Sequence, residues 1–356
     1  MAQGYVRGRV IQPARYPAGA VEPSHFEVVE VEVPRPRPGE VLVRNTFTSV
    51  DPGLRLRLRE RGPAGYFGEF ALHAPMEGIL TVGEVVESSA DGFRRGDVVR
   101  HAAGWRDYAI VAAGEPALSG LGTLARVDTS VAAAPAYLGP LGGMGLTAYA
   151  GLIDAAQLRE GDIVWVSAAA GAVGSLAAQI AKLRGHRVIG SAGSDEKVRH
   201  LLEDLGLDAA FNYRRGPVAE LLSEAAPDGI DVYFDSVGGG HLEAALDCLR
   251  RGGRVALCGA LSEYETNGAT AGPGNLFQAT ANDLTLRGFR GSSHLDRMDD
   301  VMRQLGGWLA VGRLRYRQTI VDGLERSPEA LVRMLAGETI GKTLVRIDQA
   351  PTAAGR

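Results

Sequence analysis

The sequence contains few residues of the kinds that hold metal ions. Of its 356 residues only two are cysteines, Cys248 and Cys258, and seven are histidines. The histidines are scattered, without a pair at metal-ligand spacing: His25, His73, His101, His186, His200, His241 and His294. Zinc sites need such ligands at defined spacings, so neither a catalytic nor a structural zinc site is expected. The two cysteines are predicted to be reduced, small core residues.

Long apolar runs and a strong charge imbalance are also missing. No segment is long enough to span a bilayer, and the N-terminal MAQGYVRGRV lacks the apolar stretch of a signal peptide. The net charge of −4 and the isoelectric point of about 6.0 give no electrostatic basis for binding nucleic acid or an anionic membrane. The sequence therefore predicts a cytoplasmic protein that acts on a small molecule.

The pattern of apolar runs changes along the chain, and 356 residues are more than one core normally holds. Residues 1–136 contain short β runs separated by proline and glycine, which predicts a partly closed β-rich domain that residues 314–356 rejoin. Residues 137–313 alternate strands and helices, which predicts an α/β domain with a doubly wound parallel sheet. The strands predicted for this sheet are Ile163–Ser167, Arg187–Ser191, Ala209–Asn212, Ile230–Phe234, Arg254–Cys258 and Leu284–Phe289.

A turn of small residues follows the first strand of the predicted sheet and leads directly into a helix. Residues 169–174 read A-A-G-A-V-G, with Ala169 where the dinucleotide fingerprint has its first glycine. Without a Cβ at Gly171, backbone N–H groups at the helix start can approach a pyrophosphate, and Gly174 lets the helix lie close to the strand. Small residues also pack helices on sheets, but the strand–turn–helix–strand setting favours a dinucleotide site.

The end of the second strand indicates which dinucleotide binds. An NAD site usually has an acid there, about twenty residues after the glycines, to bind the ribose 2′-hydroxyl. This chain has S-A-G-S at residues 191–194, followed by Asp195, Glu196 and Lys197. The small residues leave room for a 2′-phosphate and Lys197 supplies positive charge, which favours NADPH over NADH. The simpler interpretation is that Ser194 caps a helix whose first turn carries a solvated Lys197, and both interpretations can hold together. Asp195 and Glu196 put negative charge nearby, which argues against a phosphate.

Several short motifs are spread along nearly the whole chain. They are S-V-D-P at 49–52, Y-L-G-P-L-G-G-M-G-L-T-A-Y-A-G-L at 137–152, V-S-A-A-A-G-A-V-G at 166–174, G-S-D-E-K at 193–197, F-N-Y at 211–213, Y-F-D-S-V-G-G at 233–239, C-G-A at 258–260 and the segment 337–342. Together they resemble the zinc-independent medium-chain dehydrogenase/reductases. The similarity is greatest to the branch of leukotriene B4 dehydrogenase/prostaglandin reductase, plant alkenal double-bond reductases and bacterial curcumin reductase. It implies a Rossmann domain that binds NADPH and a GroES-like substrate domain.

The resemblance also implies roles for individual residues. Lys197 and Tyr213 match the pair that grips the adenosine 2′-phosphate. Ser236 and Thr339 stand where the family usually has asparagine. The full set of cofactor-binding residues implied by the resemblance is Ala169, Gly171, Ala172, Val173, Gly174, Lys197, Tyr213, Ser236, Cys258, Gly259, Ala260, Tyr264, Phe289, Gly291 and Thr339.

The substrate side departs from the pattern of the family. The usual D-P-Y-M-R has Gly53 at its tyrosine position, and Ala281 stands where a tyrosine is assigned to hydrogen-bond the developing enolate. The candidates for a replacement donor are Tyr264, Tyr66 and His294. A histidine titrates near working pH, although a solvated loop histidine is the simpler interpretation of His294.

Three arginines near the altered motif leave two interpretations open. Arg55, Arg57 and Arg59 alternate with leucines. They either meet an anionic substrate or lie on a half-exposed face of a strand or helix.

The sequence as a whole predicts an NADPH-dependent reductase that transfers hydride to the β-carbon of an α,β-unsaturated carbonyl compound or a related activated double bond. One alternative is a quinone or other carbonyl reductase on the same scaffold, because quinones accept hydride without a dedicated oxyanion residue. Another is an NADPH-binding protein without catalysis. A homodimer is expected through the edge strand at residues 284–289, because a long apolar edge is otherwise a liability.

Overall fold

The structure is a computed structural model and describes residues 5–264 and 272–347. Its strands are β1 (Tyr5–Pro13), β2 (Phe26–Pro34), β3 (Glu40–Ser49), β4 (Thr81–Ser88), β5 (Val98–His101), β6 (Tyr108–Ala112), β7 (Ala125–Arg126), β8 (Ile163–Val166), β9 (Arg187–Ala192), β10 (Ala209–Asn212), β11 (Ile230–Asp235), β12 (Leu249–Leu257), β13 (Thr285–Gly288), β14 (Gln318–Asp322) and β15 (Lys342–Arg346). Its α-helices are α1 (Leu54–Arg57), α2 (Gly143–Ala150), α3 (Ala172–Leu183), α4 (Asp195–Arg199), α5 (Val218–Ala225), α6 (Gly239–Cys248), α7 (Phe277–Ala281), α8 (Met298–Ala310) and α9 (Ser327–Leu335).

Residue contacts divide the chain into two compact units. The α/β unit comprises residues Gly139–Arg317 together with Ile340–Lys342, and the β-rich unit comprises the rest of the described chain. The short return at Ile340–Lys342 was not expected from the sequence, which assigned all of residues 314–356 to the β-rich domain. Neither unit has a described helix that is both long and apolar enough to cross a membrane.

The α/β unit is built on one parallel sheet of six strands, in the order β10-β9-β8-β11-β12-β13. Strand β8 lies near the middle, and its residues 164–166 are fully buried, as expected for a parallel strand covered on both faces. The order reverses between β8 and β11, and in such sheets ligands bind beyond the carboxyl ends of the strands at this point. The predicted doubly wound fold is confirmed, with all six strands within a few residues of their predicted positions except the start of β12.

The core of this unit contains an aromatic stack. Trp165 of β8 packs face to face on Tyr233 of β11, with ring centroids 4.3 Å apart, and on His241 of α6 at 5.8 Å. Burial lowers the pKa of His241 to about 4, so the imidazole is neutral in the folded protein at neutral pH. Both cysteines are free thiols. Both are half-buried, and Cys248 packs against the core that contains Trp165 and Tyr233.

The β-rich unit contains two sheets. Strands β1 and β2 form an antiparallel pair, and a seven-stranded sheet runs β14-β15-β3-β4-β5-β7, with β6 also paired to β3. Strands β1, β7 and β14 were not predicted from the sequence. The apolar pattern of β1 is interrupted by Arg7, Gly8 and Arg9. The strand forms through its pairing with β2 at nine positions, which a local pattern does not predict.

Candidate functional site

Small residues shape the turn between β8 and α3. Ala168 has a φ of 47°, which residues with a side chain rarely adopt, and Gly171 precedes α3 without a side-chain cap. A Cβ on Gly174 would overlap the carbonyl oxygen of Ala168 and lie 2.9 Å from its carbonyl carbon, so only glycine fits without a shift. The first N–H groups of an α-helix have no intrahelical partner, and here they lie at the carboxyl end of β8. This arrangement suits a pyrophosphate.

Ala169, at the position of the first fingerprint glycine, is accommodated by its neighbours. It is fully buried, and its N–H donates to the carbonyl oxygen of Ser191 at 3.0 Å. Its methyl group lies 3.0 Å from where a Cβ on Gly190 would be. The absence of a side chain at Gly190 therefore makes room for the extra methyl group.

The return segment of the α/β unit lies against the same turn. The N–H of Gly341 donates to the carbonyl oxygen of Ala170 at 2.8 Å, and Gly341 has a φ of 71°. Thr339, the residue implied by the resemblance, belongs to the β-rich unit, where its hydroxyl lies 3.1 Å from that of Thr343. Sequence reasoning did not single out Gly341, because only the tertiary structure places it beside the turn.

A group of basic and aromatic side chains lies beyond the carboxyl ends of β9 and β10. Lys197 is half-buried, and its pKa is lowered by burial and by the nearby charge of Arg214. The phenolic oxygen of Tyr213 lies 2.9 Å from where a Cβ on Gly193 would be, so the ring covers the small-residue strand end. The Arg214 guanidinium lies 5.9 Å from the Tyr213 ring centroid. We call Lys197, Tyr213 and Arg214 the basic corner.

The structure bears out one part of the simpler interpretation of Lys197 and contradicts the other. Ser194 does cap α4, since its hydroxyl accepts the N–H of Lys197 at 3.3 Å. The Lys197 side chain, however, is half-buried rather than solvated. Arg214 was missed, although it directly follows Tyr213 in the sequence and its charge was a usable signal. Two cations that approach each other are suited to an anion between them.

The carboxyl ends of β11 and β12 are joined by Asp235. Its backbone carbonyl accepts the N–H groups of Cys258 at 2.8 Å and Gly259 at 3.1 Å. Its buried Oδ1 accepts the Tyr233 hydroxyl at 2.8 Å and the N–H of Gly238 at 2.8 Å, which fixes the turn after β11. Burial raises the pKa of Asp235 above its ordinary value.

The joined strand ends bring several predicted residues together. Ser236 accepts the N–H of Leu261 through its carbonyl oxygen at 3.1 Å. The phenolic oxygen of Tyr264 lies 3.0 Å from where a Cβ on Gly259 would be. The Ala260 methyl group lies 3.4 Å from the corresponding position on Gly238. Burial raises the pKa of Cys258 to about 12, so its thiol stays protonated at neutral pH.

Phe289, Gly291 and His294 follow β13, and Gly291 packs against α2. A Cβ on Gly291 would overlap the hydroxyl of Thr147. The ring of His294 lies 6.3 Å from that of Phe289, and its Nδ1 is 3.7 Å from a carboxylate oxygen of Asp154, which also binds Arg297 at 3.2 Å. His294 is therefore not the solvated loop histidine of the simpler interpretation. Its described contacts are with Phe289 and with Asp154 in the helical turn that follows α2, whereas Tyr264 contacts Gly259 just after β12.

The β-rich unit contains the third donor candidate. The phenolic oxygen of Tyr66 lies 2.6 Å from where a Cβ on Gly53 would be, and the Tyr66 ring packs against that of Phe67 at 4.9 Å. Glycine at position 53 thus leaves a space that the Tyr66 hydroxyl fills. Tyr66, which lies in a loop, therefore fills space next to the altered motif.

Arg55 and Arg57 do not lie on a half-exposed face, whereas Arg59 is half-buried. Arg55 and Arg57 are buried. Arg55 donates to the carbonyl oxygen of Gly19 at 2.9 Å, and Arg57 donates to those of Gly68 at 2.6 Å and Gly78 at 3.0 Å. Burial lowers the pKa of Arg57 to about 10. These contacts tie loops of the β-rich unit together, so that interpretation was wrong for both residues.

No group of three or more histidine, cysteine or acidic side chains in residues 5–264 and 272–347 is arranged to hold a metal ion. The fold and the site instead define a dinucleotide-binding α/β protein. The parallel sheet, the uncapped start of α3 and the basic corner indicate this class.

Comparison with known proteins identifies the family. Residues 9–118 match the family model described as the N-terminal domain of oxidoreductase, and residues 172–306 match the model described as zinc-binding dehydrogenase. The chain is 40% identical to YfmJ of Bacillus subtilis (strain 168), over 95% of this chain and 97% of that protein. It is 35% identical to the NADPH-dependent curcumin reductase of Escherichia coli (strain K12), over 98% and 99% of the two chains.

A solved structure gives the same result. CurA from Vibrio vulnificus in complex with NADPH matches this structure with a TM-score of 0.88 and 34% identity, over 96% of this chain and 99% of that chain. The chain belongs to this oxidoreductase family, the medium-chain dehydrogenase/reductases. The resemblance of the sequence motifs is thereby confirmed.

Proposed function

We propose that this oxidoreductase uses NADPH to reduce the activated double bond of an α,β-unsaturated carbonyl compound. The observation that carries the proposal is the basic corner beside the uncapped start of α3, in a chain similar to a curcumin reductase along nearly its whole length. The basic corner fits a 2′-phosphate because Lys197 and Arg214 supply two positive charges beside a strand end without an acid.

Except for Thr339, which belongs to the β-rich unit, the residues proposed to hold NADPH belong to the α/β unit. Residues 137–313 are proposed as the cofactor domain, and residues 1–136 with 314–356 as the substrate domain. The proposed cofactor-binding residues are Ala169, Gly171, Ala172, Val173, Gly174, Lys197, Tyr213, Ser236, Cys258, Gly259, Ala260, Tyr264, Phe289, Gly291 and Thr339. Arg214 and Gly341 join them on the contacts described above.

Bound NADPH would supply a hydride for the β-carbon of the substrate, and a proton would have to reach the α-carbon to complete the reduction. A donor aimed at the carbonyl oxygen, where negative charge would develop, would lower the barrier by about 3 kcal/mol. Of the three candidates, we propose Tyr264 as that donor, because it packs on Gly259 just after β12 among the proposed cofactor-binding residues. His294 is less suited, because its Nδ1 faces the Asp154 carboxylate.

The function is tested by following NADPH oxidation with a panel of enones, alkenals and quinones, with product analysis. A saturated ketone or aldehyde supports the proposal. Turnover that gives hydroquinone from quinones but no enone reduction supports the alternative reductase. Absence of turnover with tight NADPH binding indicates a non-catalytic NADPH-binding protein. Treatment with EDTA should leave the rate unchanged, since the proposed chemistry needs no zinc.

Tyr264→Phe should lower kcat for enone reduction about 100-fold with little change in KM, because the lost donor acts mainly on the developing oxyanion. Tyr149→Phe is the matched control, since the Tyr149 hydroxyl contacts Gln304 at 3.2 Å and should not affect kcat. If Tyr66→Phe or His294→Asn shows the large loss instead, the donor assignment to Tyr264 is wrong.

We also propose that the protein is a homodimer formed through β13. This strand ends the six-stranded sheet. Phe277, at the start of the preceding α7, is 78% exposed, and Leu276, just before it, is 55% exposed. An unpaired edge beside exposed apolar side chains is a typical association surface. Phe277→Glu should shift the sedimentation mass towards the 37.5 kDa monomer. Val311→Glu, at a residue 68% exposed, should not, and a monomeric wild-type protein would refute the dimer.

A further inference from the structure

Both acids at the start of α4 face an arginine of the same unit. The Asp195 carboxylate accepts hydrogen bonds from the Arg215 guanidinium, whose Nε lies 3.3 Å from Oδ1, and from the Asn212 side-chain amide at 2.7 Å. Glu196 lies 3.9 Å from the Arg317 guanidinium. The acids that argued against a 2′-phosphate in the sequence thus face positive charge in the structure.

The partners of Asp195 come from the segment that also supplies the basic corner. Residues 212–215 end β10 and form one short 3₁₀ turn. Asn212 and Arg215, at its two ends, bind Asp195, whereas Tyr213 and Arg214, between them, approach Gly193 and Lys197. The 212–215 segment therefore places Arg215 against the Asp195 carboxylate and Arg214 close to Lys197.

We propose that Arg215 is a positioning residue for cofactor selectivity. Through its ion pair it holds the Asp195 carboxylate on the 212–215 segment and keeps that negative charge from opposing the 2′-phosphate of NADPH. The inference rests on the proposed use of NADPH. It explains how an acid two residues before Lys197 is compatible with that cofactor.

Asp195 does not lose its negative charge by protonation, so that charge has to be offset by a positively charged partner such as Arg215. The hydrogen bonds from Arg215 and Asn212 lower the pKa of Asp195 to about 2, so the carboxylate is ionised at any working pH. A carboxylate released from Arg215 would repel a doubly charged phosphate and leave NADH, which carries a hydroxyl there, almost unaffected. The ratio of the two dissociation constants therefore reports on the role of Arg215.

The test is a double-mutant cycle on the full chain, with Kd for NADPH and for NADH measured at low and at physiological salt. Arg215→Ala should lower the preference for NADPH about tenfold, and less at higher salt. Arg215→Lys should retain most of it. Asp195→Asn alone should change the preference less than about twofold, but in the Arg215→Ala background it should restore most of the loss.

The pair of Arg251 and Asp283 provides the matched control. It is an exposed arginine–aspartate pair in the same unit, somewhat more exposed than that of Arg215 and Asp195, at the amino-terminal end of the sheet. Arg251→Ala should leave the preference unchanged. An Arg215→Ala protein with wild-type preference, or an Asp195→Asn effect of equal size in both backgrounds, overturns the inference and leaves the proposed cofactor intact. A wild-type protein without preference for NADPH overturns both.

Discussion

Lys197→Ala should raise the Kd for NADPH about 50-fold and leave that for NADH within about twofold. A charge-assisted hydrogen bond to phosphate contributes roughly 2–3 kcal/mol, which corresponds to this factor. The effect should be large because Lys197 is half-buried and close to Arg214, so its charge is already partly desolvated. Fluorescence or calorimetric titration with both cofactors measures it.

Arg199→Ala is the control for this substitution. Arg199 lies on α4, two residues after Lys197, and is exposed. Residues two apart on a helix do not share a face, so removing this charge should change the Kd for NADPH less than threefold. Equal losses for NADPH and NADH in Lys197→Ala would contradict a contact with the 2′-phosphate. The assignment of NADPH as cofactor would then have to be withdrawn.

Alanine at Gly171 should weaken NADPH binding with little loss of stability, whereas alanine at Gly174 should destabilise the fold. Gly171→Ala meets only the Ala168 carbonyl oxygen, at 3.1 Å, so the free energy of unfolding should fall by about 1 kcal/mol or less. The new methyl group lies at the start of α3, where we propose the pyrophosphate binds. NADPH binding should therefore weaken at least about 30-fold in a protein that remains folded.

Gly174→Ala should instead destabilise the fold. Its Cβ would overlap the backbone of Ala168 and lie 3.0 Å from the Cα of Ala169. The helix-propensity gain of about 1 kcal/mol is smaller than an overpacking cost of about 3 kcal/mol, so a net loss of about 2 kcal/mol is expected. Urea unfolding of both variants measures the difference.

Gly307→Ala is the control for both glycine substitutions. Gly307 lies on α8, is exposed, and a Cβ there would meet nothing within 4 Å. It should raise the free energy of unfolding by about 1 kcal/mol. If Gly174→Ala unfolds at the wild-type urea concentration, the close approach of α3 to the turn is not as described.

Much of the α/β unit was predictable because its signals are local. A buried strand such as β8 is an apolar run, and the turn after it is marked by small residues. Such periodicity and turn chemistry determine elements over short distances along the chain. The resemblance added Lys197 and Tyr213 as a pair, and the structure brings both to adjoining strand ends. The β-rich unit was less predictable, since β1 forms through its pairing with β2 and not from a local apolar pattern.

The sequence by itself determined the parallel sheet, the small-residue turn between β8 and α3, and the family. Only the tertiary structure showed that Gly341 contacts the turn and that Arg215 neutralises Asp195. It also showed that Arg55 and Arg57 are buried against backbone carbonyls. The physical reason is that charge and hydrogen-bond partners are set by proximity in space. Asp195 and Arg215 are neighbours because β9 and β10 are parallel and adjacent, a pairing that no local pattern of residues specifies.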